Sequence, residues 1–256
     1  YYPTRKRTFA RIVPRDSVQG AAVATVMNED ACRKVYVIHD MEVYGQGLSK
    51  VVKKDAAAAG LRVVANKGYD PKASGYRSLA RKVRATFADC VFVSISAGSN
   101  GVQLFKDLAA VTFAQLYGPD RVAQPTFTDP KRGGVPKSIA TRIKVTSPPL
   151  SEYSYPTRAQ TFFADYQKAY HKKPQPYAIY GYEAMNLILN AMKRAQGKAN
   201  NKIAVNEQIH STKRRKSVLG RYSIDRNGDT TLTDYGLYTV DKGDLLFLKV
   251  IKAKVR

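Results

Sequence analysis

The residues of this chain that could carry chemistry are few: three histidines, two cysteines, and carboxylates or hydroxyls placed in short loops. His39 and Asp40 stand side by side and could supply two members of a catalytic relay. The serines that would complete it, Ser94 and Ser96, lie in Val93-Ser94-Ile95-Ser96-Ala97-Gly98, which lacks the Gly-x-Ser-x-Gly elbow that presents a nucleophile. His39 is therefore expected to cap a strand end. His171 and His210 sit in basic sequence with no second ligand at metal spacing. Asp225-Arg226-Asn227-Gly228-Asp229 looks faintly like the start of a calcium loop, but its Gly comes early and no Glu stands at the twelfth position, so a hairpin turn is expected. Ala97-Gly98-Ser99-Asn100-Gly101 departs from the Gly-x-Gly-x-x-Gly order, and no Gly-Lys-Ser/Thr occurs, which leaves nucleotide binding weakly supported. A loop that opens a helix can still hold an anion or a carbonyl on its backbone N–H groups. Cys32 and Cys90 exclude a disulfide-rich scaffold and a four-cysteine zinc site; a single disulfide and two buried thiols stay equally open. No catalytic residue, metal or cofactor is expected, and the chain reads as something other than an enzyme.

The elements that position these residues follow from hydrophobic pattern. Pro14-Arg15-Asp16-Ser17 turns into a small-residue helix, Val18–Met27, after a short strand, Phe9–Val13. Lys34–His39 is a continuous apolar strand, and Tyr44–Ala59 is a helix stopped by Gly60. Strand Leu61–Asn66, helix Tyr76–Phe87, strand Cys90–Ser96 and helix Val102–Ala110 continue the alternation. Such β-α repetition predicts a parallel sheet covered on both faces, with ligand loops at the carboxyl ends of the strands. Those loops are His39–Tyr44, Ser96–Gly101 and Tyr117–Asp120, so Tyr44, Ser96 and Asp120 suit a small polar or zwitterionic molecule. From about Pro148 the texture changes to two long helices, Pro156–His171 and Pro176–Ala195, with apolar faces but no following sheet to cover. After a helical turn at Val205–His210, a meander of Leu219–Ile224, Tyr235–Val240 and Leu245–Ile251 is expected, joined by Asn-Gly and Lys-Gly turns.

The 256 residues carry 43 Lys and Arg against 20 Asp and Glu, a net charge of +23, which raises nucleic acid as a partner. The basic residues are spread along the chain, with only Arg5-Lys6-Arg7 and Lys213–Lys216 clustered, and no nucleic-acid motif accompanies them. Hydrophobic residues at 44% are enough for a packed core, and no apolar run reaches the roughly 18 residues of a membrane helix. Tyr1-Tyr2-Pro3-Thr4-Arg5 lacks the apolar core of a secretory leader.

Over nearly its whole length the chain resembles the solute-binding proteins of ABC importers for branched-chain amino acids, the type I periplasmic binding proteins. The residues that carry the resemblance are Pro14-Arg15-Asp16-Ser17-Val18-Gln19-Gly20, then Val35–Asp40 with Tyr44-Gly45-Gln46-Gly47-Leu48. Pro176-Tyr177-Ala178 with Tyr182-Glu183-Ala184, and Gly220–Asp229, complete the set. The resemblance implies an α/β, type I periplasmic-binding-protein-like fold: a parallel-sheet, Rossmann-like lobe plus the helices of a second, incomplete lobe. It divides the chain into residues 1–150 and 232–256 in the C-terminal lobe and residues 151–231 in the helical part of the N-terminal lobe. It also implies that the chain is the C-terminal portion of a longer protein, entering at the first crossing between lobes and lacking the β-α-β-α stretch of roughly a hundred residues that opens other members. The expected function is capture of an amino acid or related small molecule in an interlobe cleft and delivery to a membrane ABC permease, on the periplasmic or extracytoplasmic side. The alternative is a basic nucleic-acid-binding or adaptor module. Carried over by position, Tyr44 packs on the ligand side chain, Tyr177 lines the pocket from the other lobe, and Asp16 lies near the first crossing. Asp120 takes the ligand's ammonium group, with Asp129 in its place if a gap is needed. Ser96 stands where amino-acid binders often have an aromatic, which implies an altered pocket.

Overall fold

Val35 to Ile38 and Cys90 to Ser94 are buried without alternation, because helices cover the sheet from both sides. The computed structural model describes residues 6–96 and 98–254. Its first elements are α1 (Asp16–Glu29), β1 (Lys34–His39), α2 (Val43–Ala58), β2 (Arg62–Gly68), α3 (Arg77–Ala85), β3 (Cys90–Ser94), α4 (Gly101–Val111) and β4 (Gln115–Gly118). Then come the short α5 (Pro125–Thr128) and α6 (Lys137–Ala140), and β5 (Ile143–Ser147). The helical stretch is α7 (Arg158–Tyr170), α8 (Ala178–Ala195) and α9 (Lys202–His210), followed by β6 (Arg215–Ser217), β7 (Gly220–Tyr222), β8 (Asp234–Asp241) and β9 (Asp244–Lys252). They form two compact units, one of Asp16–Pro148 with Asp234–Arg256 and one of Tyr1–Arg15 with Pro149–Thr233.

In the first unit seven strands run in the order β2-β1-β3-β4-β5-β8-β9. The first five are parallel, and β8 and β9 add antiparallel at one edge. Alternate side chains serve alternate faces. Val35, Val37 and Phe92 pack under α1 and α2 with Val26, Leu48 and Val52, while Tyr36, Ile38, Val91 and Val93 pack under α3 and α4 with Val83, Leu104 and Leu108. Each such fully buried aliphatic side chain contributes roughly 1.5–3 kcal/mol. Gly60, at φ +86°, ends α2 in the left-handed conformation that a Cβ disfavours, where the sequence predicts the stop.

Cys32, just before β1, and Cys90, the first residue of β3, are joined by a disulfide with Cα atoms 5.9 Å apart, which decides between the two readings the sequence leaves open. The Tyr117 hydroxyl lies 3.4 Å from Cys32 Sγ and donates to Asp30 Oδ2 at 2.6 Å. Asp30 Oδ1 accepts from Lys144 Nζ at 2.6 Å.

In the second unit α7, α8 and the β6–β7 hairpin enclose Tyr155, Phe162, Ile179, Leu187, Tyr222 and Ile224. Buried Glu183 accepts from Arg215 Nε at 2.6 Å and from the Tyr222 hydroxyl at 2.8 Å. Tyr182, Met185, Ile188 and Leu189 of α8 are exposed.

Two strand expectations are corrected. Phe9–Val13 makes only an isolated bridge, Arg11 to Asp229, reinforced by an Arg11 Nε–Asp229 Oδ1 pair at 2.6 Å. That bridge groups the segment before Asp16 with the helical unit, whereas the resemblance places residues 1–150 with the sheet. Leu219–Ile224 does not open a meander with β8 and β9. Its β7 portion pairs with β6 instead, because Gly220 at φ +112° turns the chain straight back on Arg215–Ser217. The β8–β9 hairpin forms as the sequence predicts, with Lys242 and Gly243 both at positive φ.

The disulfide spans 58 residues, for which loop-closure entropy predicts about 4 kcal/mol of stabilisation. The Cys32→Ser, Cys90→Ser double variant is expected to lose stability of that order in urea denaturation; a loss under about 1 kcal/mol would contradict the cross-link.

Candidate functional site

At the carboxyl ends of β1, β3, β4 and β5 the sheet unit gathers polar side chains from four elements. Tyr44, in the first turn of α2, donates its hydroxyl to Asp120 Oδ1 at 3.0 Å. Gln19 Nε2, from α1, reaches the same oxygen at 3.1 Å and the Thr146 carbonyl at 3.2 Å. Asp120 is therefore a half-buried carboxylate held by two donors at the end of β4. A carboxylate oriented in that way is of the type that accepts from a cation such as an ammonium group. Ser94 Oγ, fully buried at the end of β3, has no hydrogen-bond partner among the described residues.

The loops themselves are tied by Asp40, a buried carboxylate directly after β1. Its Oδ2 accepts from the Ser96 amide at 2.5 Å and from Ser99 Oγ at 2.7 Å, and its Oδ1 from the Glu42 amide at 3.1 Å. Gly45 allows this: a Cβ there would collide with the Asp40 carboxylate and lie 2.9 Å from the Ser94 carbonyl. The spacing Asp40 to Tyr44-Gly45 thus has a mechanical cause. It lets the first turn of α2 press against the Asp40 carboxylate while Tyr44 turns towards Asp120. His39 caps the strand end as predicted, its Nδ1 accepting from the Met41 amide at 3.2 Å, and burial is the main cause of its lowered pKa.

Of the residues expected at a site, Tyr44 and Asp120 are brought into contact. Asp16, exposed at the start of α1, adds its negative charge to the surroundings of Tyr44. Ser96 is half-buried and borders a cavity of about 310 Å³ between the loops after β3 and β4. Asp129 serves elsewhere: it caps a short turn, accepting from the Lys131 amide at 2.9 Å. Tyr177 belongs to the helical unit, where it precedes α8, 41% exposed, with its ring 5.9 Å from that of Tyr180. Sequence reasoning missed Gln19 as a site residue. Its signal was a lone amide in the otherwise small and apolar run Val18–Ala24. Asp225 is a turn residue, accepting from the Asn227 amide at 2.7 Å and the Asp229 amide at 2.9 Å, in line with the hairpin-turn reading over a calcium loop. Cys32, Cys90 and Asp89 lie close enough to share a metal, but with both sulfurs in a disulfide neither is the thiolate that metal binding needs.

The chain passes between its two units three times, after Arg15, Pro148 and Thr233. That topology, with a mostly parallel sheet presenting polar loops at its strand ends, defines the type I solute-binding fold. The chain belongs to the periplasmic binding protein family, whose model matches residues 3–244. It is 23% identical over 232 residues to an amino acid binding protein of Pseudomonas aeruginosa, covering 90% of this chain and 60% of that one. It is 24% identical over 237 residues to the Leu/Ile/Val-binding protein homolog 1 of Brucella abortus, again covering 91% and 60%. The crystal structure of a leucine binding protein of Thermotoga maritima superposes with a TM-score of 0.80 at 21% identity, over 97% of this chain and 69% of the other. The chain thus spans about 60% of the length of the curated relatives it matches.

Two outcomes follow. Asp40→Asn turns an N–H towards donors that need an acceptor and is expected to cost about 1–3 kcal/mol in urea denaturation, with faster hydrogen exchange at the Ser96 amide. Unchanged exchange there would remove Asp40 from its tying role. Tyr44, Tyr69 and Tyr117 all have pKa values raised from 10.0, chiefly by burial and then by neighbouring carboxylates, Asp120 for Tyr44, Asp40 for Tyr69 and Asp30 for Tyr117. Stability from keeping these phenols neutral is fully present below pH 10.0 and is lost as pH climbs towards their folded values. Melting temperature should hold steady from pH 7 to 9 and fall above about 10, with tyrosinate absorbance appearing alongside unfolding. Complete tyrosine titration in the folded protein would refute this.

Proposed function

We propose that this chain, a sheet-bearing unit with a helical one, belongs to a solute-binding protein that captures an amino acid at the carboxyl ends of β1, β3 and β4 and hands it to an ABC permease in the membrane. The observation that carries the reading is Asp120, oriented by Tyr44 and Gln19 as an acceptor for an ammonium group. No covalent step is required of it. Tyr44 donates to that carboxylate, the Asp16 charge acts on Tyr44 and Ser96 borders the cavity that Arg121 lines, while Tyr177 remains a proposed ligand neighbour on the resemblance alone.

The names of the relatives, amino acid binding and Leu/Ile/Val-binding, support this class of solute. They lend nothing to the alternative of a nucleic-acid or adaptor module. A periplasmic or extracytoplasmic location agrees with the family and with the Cys32–Cys90 disulfide, since such bonds persist in oxidising compartments.

A thermal-shift screen of the twenty amino acids tests the reading. A bound solute at a hundred times its Kd should stabilise the protein by about 2.7 kcal/mol. Asp120→Asn should abolish the shift while leaving the unliganded melting temperature close to wild type. Absence of any shift, together with salt-sensitive DNA binding, would replace this function with the alternative.

A further inference from the structure

We infer that Arg121 sets the specificity of this site and that the solute is an amino acid whose side chain ends in a carboxylate. The inference rests on the amino-acid reading above and deepens it. The cavity of about 310 Å³ lined by the residue that follows Asp120 is walled by Ser96, Ser99, Asn100, Arg121, Gln124 and Phe127, with glycine backbone between them. Thr126 and two aliphatic side chains, Val102 and Val122, complete the lining, which holds one cation and no acidic side chain. Arg121 follows Asp120 in the chain, and its guanidinium stands 5.1 Å from the centroid of the Tyr44 ring. Among the described residues it makes no ion pair or hydrogen bond.

A guanidinium lying on a phenol ring is held by its face, which leaves its edge N–H groups free to fork onto a carboxylate. The ring that holds it is the tyrosine that donates to Asp120. One side chain therefore links an acceptor for an ammonium group to a donor for a distant carboxylate. The positive end of α4, which begins at Gly101 in the cavity wall, adds potential of the same sign. An aliphatic solute side chain placed there would strip water from Arg121 and return no hydrogen bond, an arrangement that disfavours it. Ser96, small and polar, leaves the space that an acidic side chain needs.

Isothermal titration of the intact protein with L-glutamate, L-aspartate, L-glutamine and L-leucine, repeated on Arg121→Gln and Arg121→Lys, tests the assignment. One of the two acidic amino acids should bind more tightly than glutamine and leucine by about tenfold or more, the usual scale of a charge-assisted pair. Arg121→Gln should bring the ratio of acid to amide near one, and Arg121→Lys should keep part of it, since a lysine retains the charge without the fork. Arg121 is exposed, so an unchanged melting temperature will show that the variants fold. Leucine binding more tightly than both acids, or a ratio unmoved in Arg121→Gln, overturns the role of Arg121. If leucine or glutamine still binds and Asp120→Asn abolishes it, the amino-acid reading survives that failure. If no amino acid binds the wild-type protein, the broader reading falls and takes this one with it.

Discussion

The arrangement at the strand ends depends on one buried carboxylate. Asp40 is almost inaccessible to water and satisfied by two backbone amides and a hydroxyl. A buried carboxyl group is tolerated only when its oxygens have hydrogen-bond partners, so the loops after β1 and β3 must stay where those donors can reach it. The constraint passes to α2, whose first turn approaches the carboxylate at Gly45, and from there to Tyr44. The polar cluster of Tyr44, Gln19 and Asp120 is thus placed by packing behind it as much as by its own hydrogen bonds.

The part of the fold most legible in the sequence was the part whose environment is uniform. β1 and β3 are buried on both faces, which writes a continuous apolar run, and α2 is buried on one stripe and ended by a glycine at positive φ. The loops could be named in advance because a parallel sheet leaves only its carboxyl ends open to ligand. Pairing partners were less legible. Leu219–Ile224 has the composition of a strand but nothing in it says whether it pairs with Tyr235–Val240 ahead or Arg215–Ser217 behind. Arg11 is similar: a single bridge and an ion pair to Asp229, more than two hundred residues away in sequence, leave no local pattern. Gln19 and Asp40 were hard for another reason. Each is defined by what it touches across the sheet, and a single sequence records the residue without recording the contact.

The strong basic charge finds a modest place in this picture. It is distributed over exposed side chains such as Arg81, Lys82 and Arg84 around α3, while buried Asp40 and half-buried Asp120 are held by specific donors. Screening by salt weakens the first set far more than the second. The surface field and the chemistry of the strand ends are therefore separable, and the composition of the chain describes the former.

The disulfide between Cys32 and Cys90 lies at the amino ends of β1 and β3, at the far end of those strands from Asp40 and Ser96. Two parallel strands pinned where they begin cannot slide along one another, since any shear would have to stretch a covalent bond. The register of β1 on β3 is thus fixed at both ends, by a covalent bond where the strands begin and by the hydrogen bonds of Asp40 where they end. Reduction of that one bond would leave the strand ends held by hydrogen bonds alone, which an unfolding event breaks, whereas a covalent link survives it.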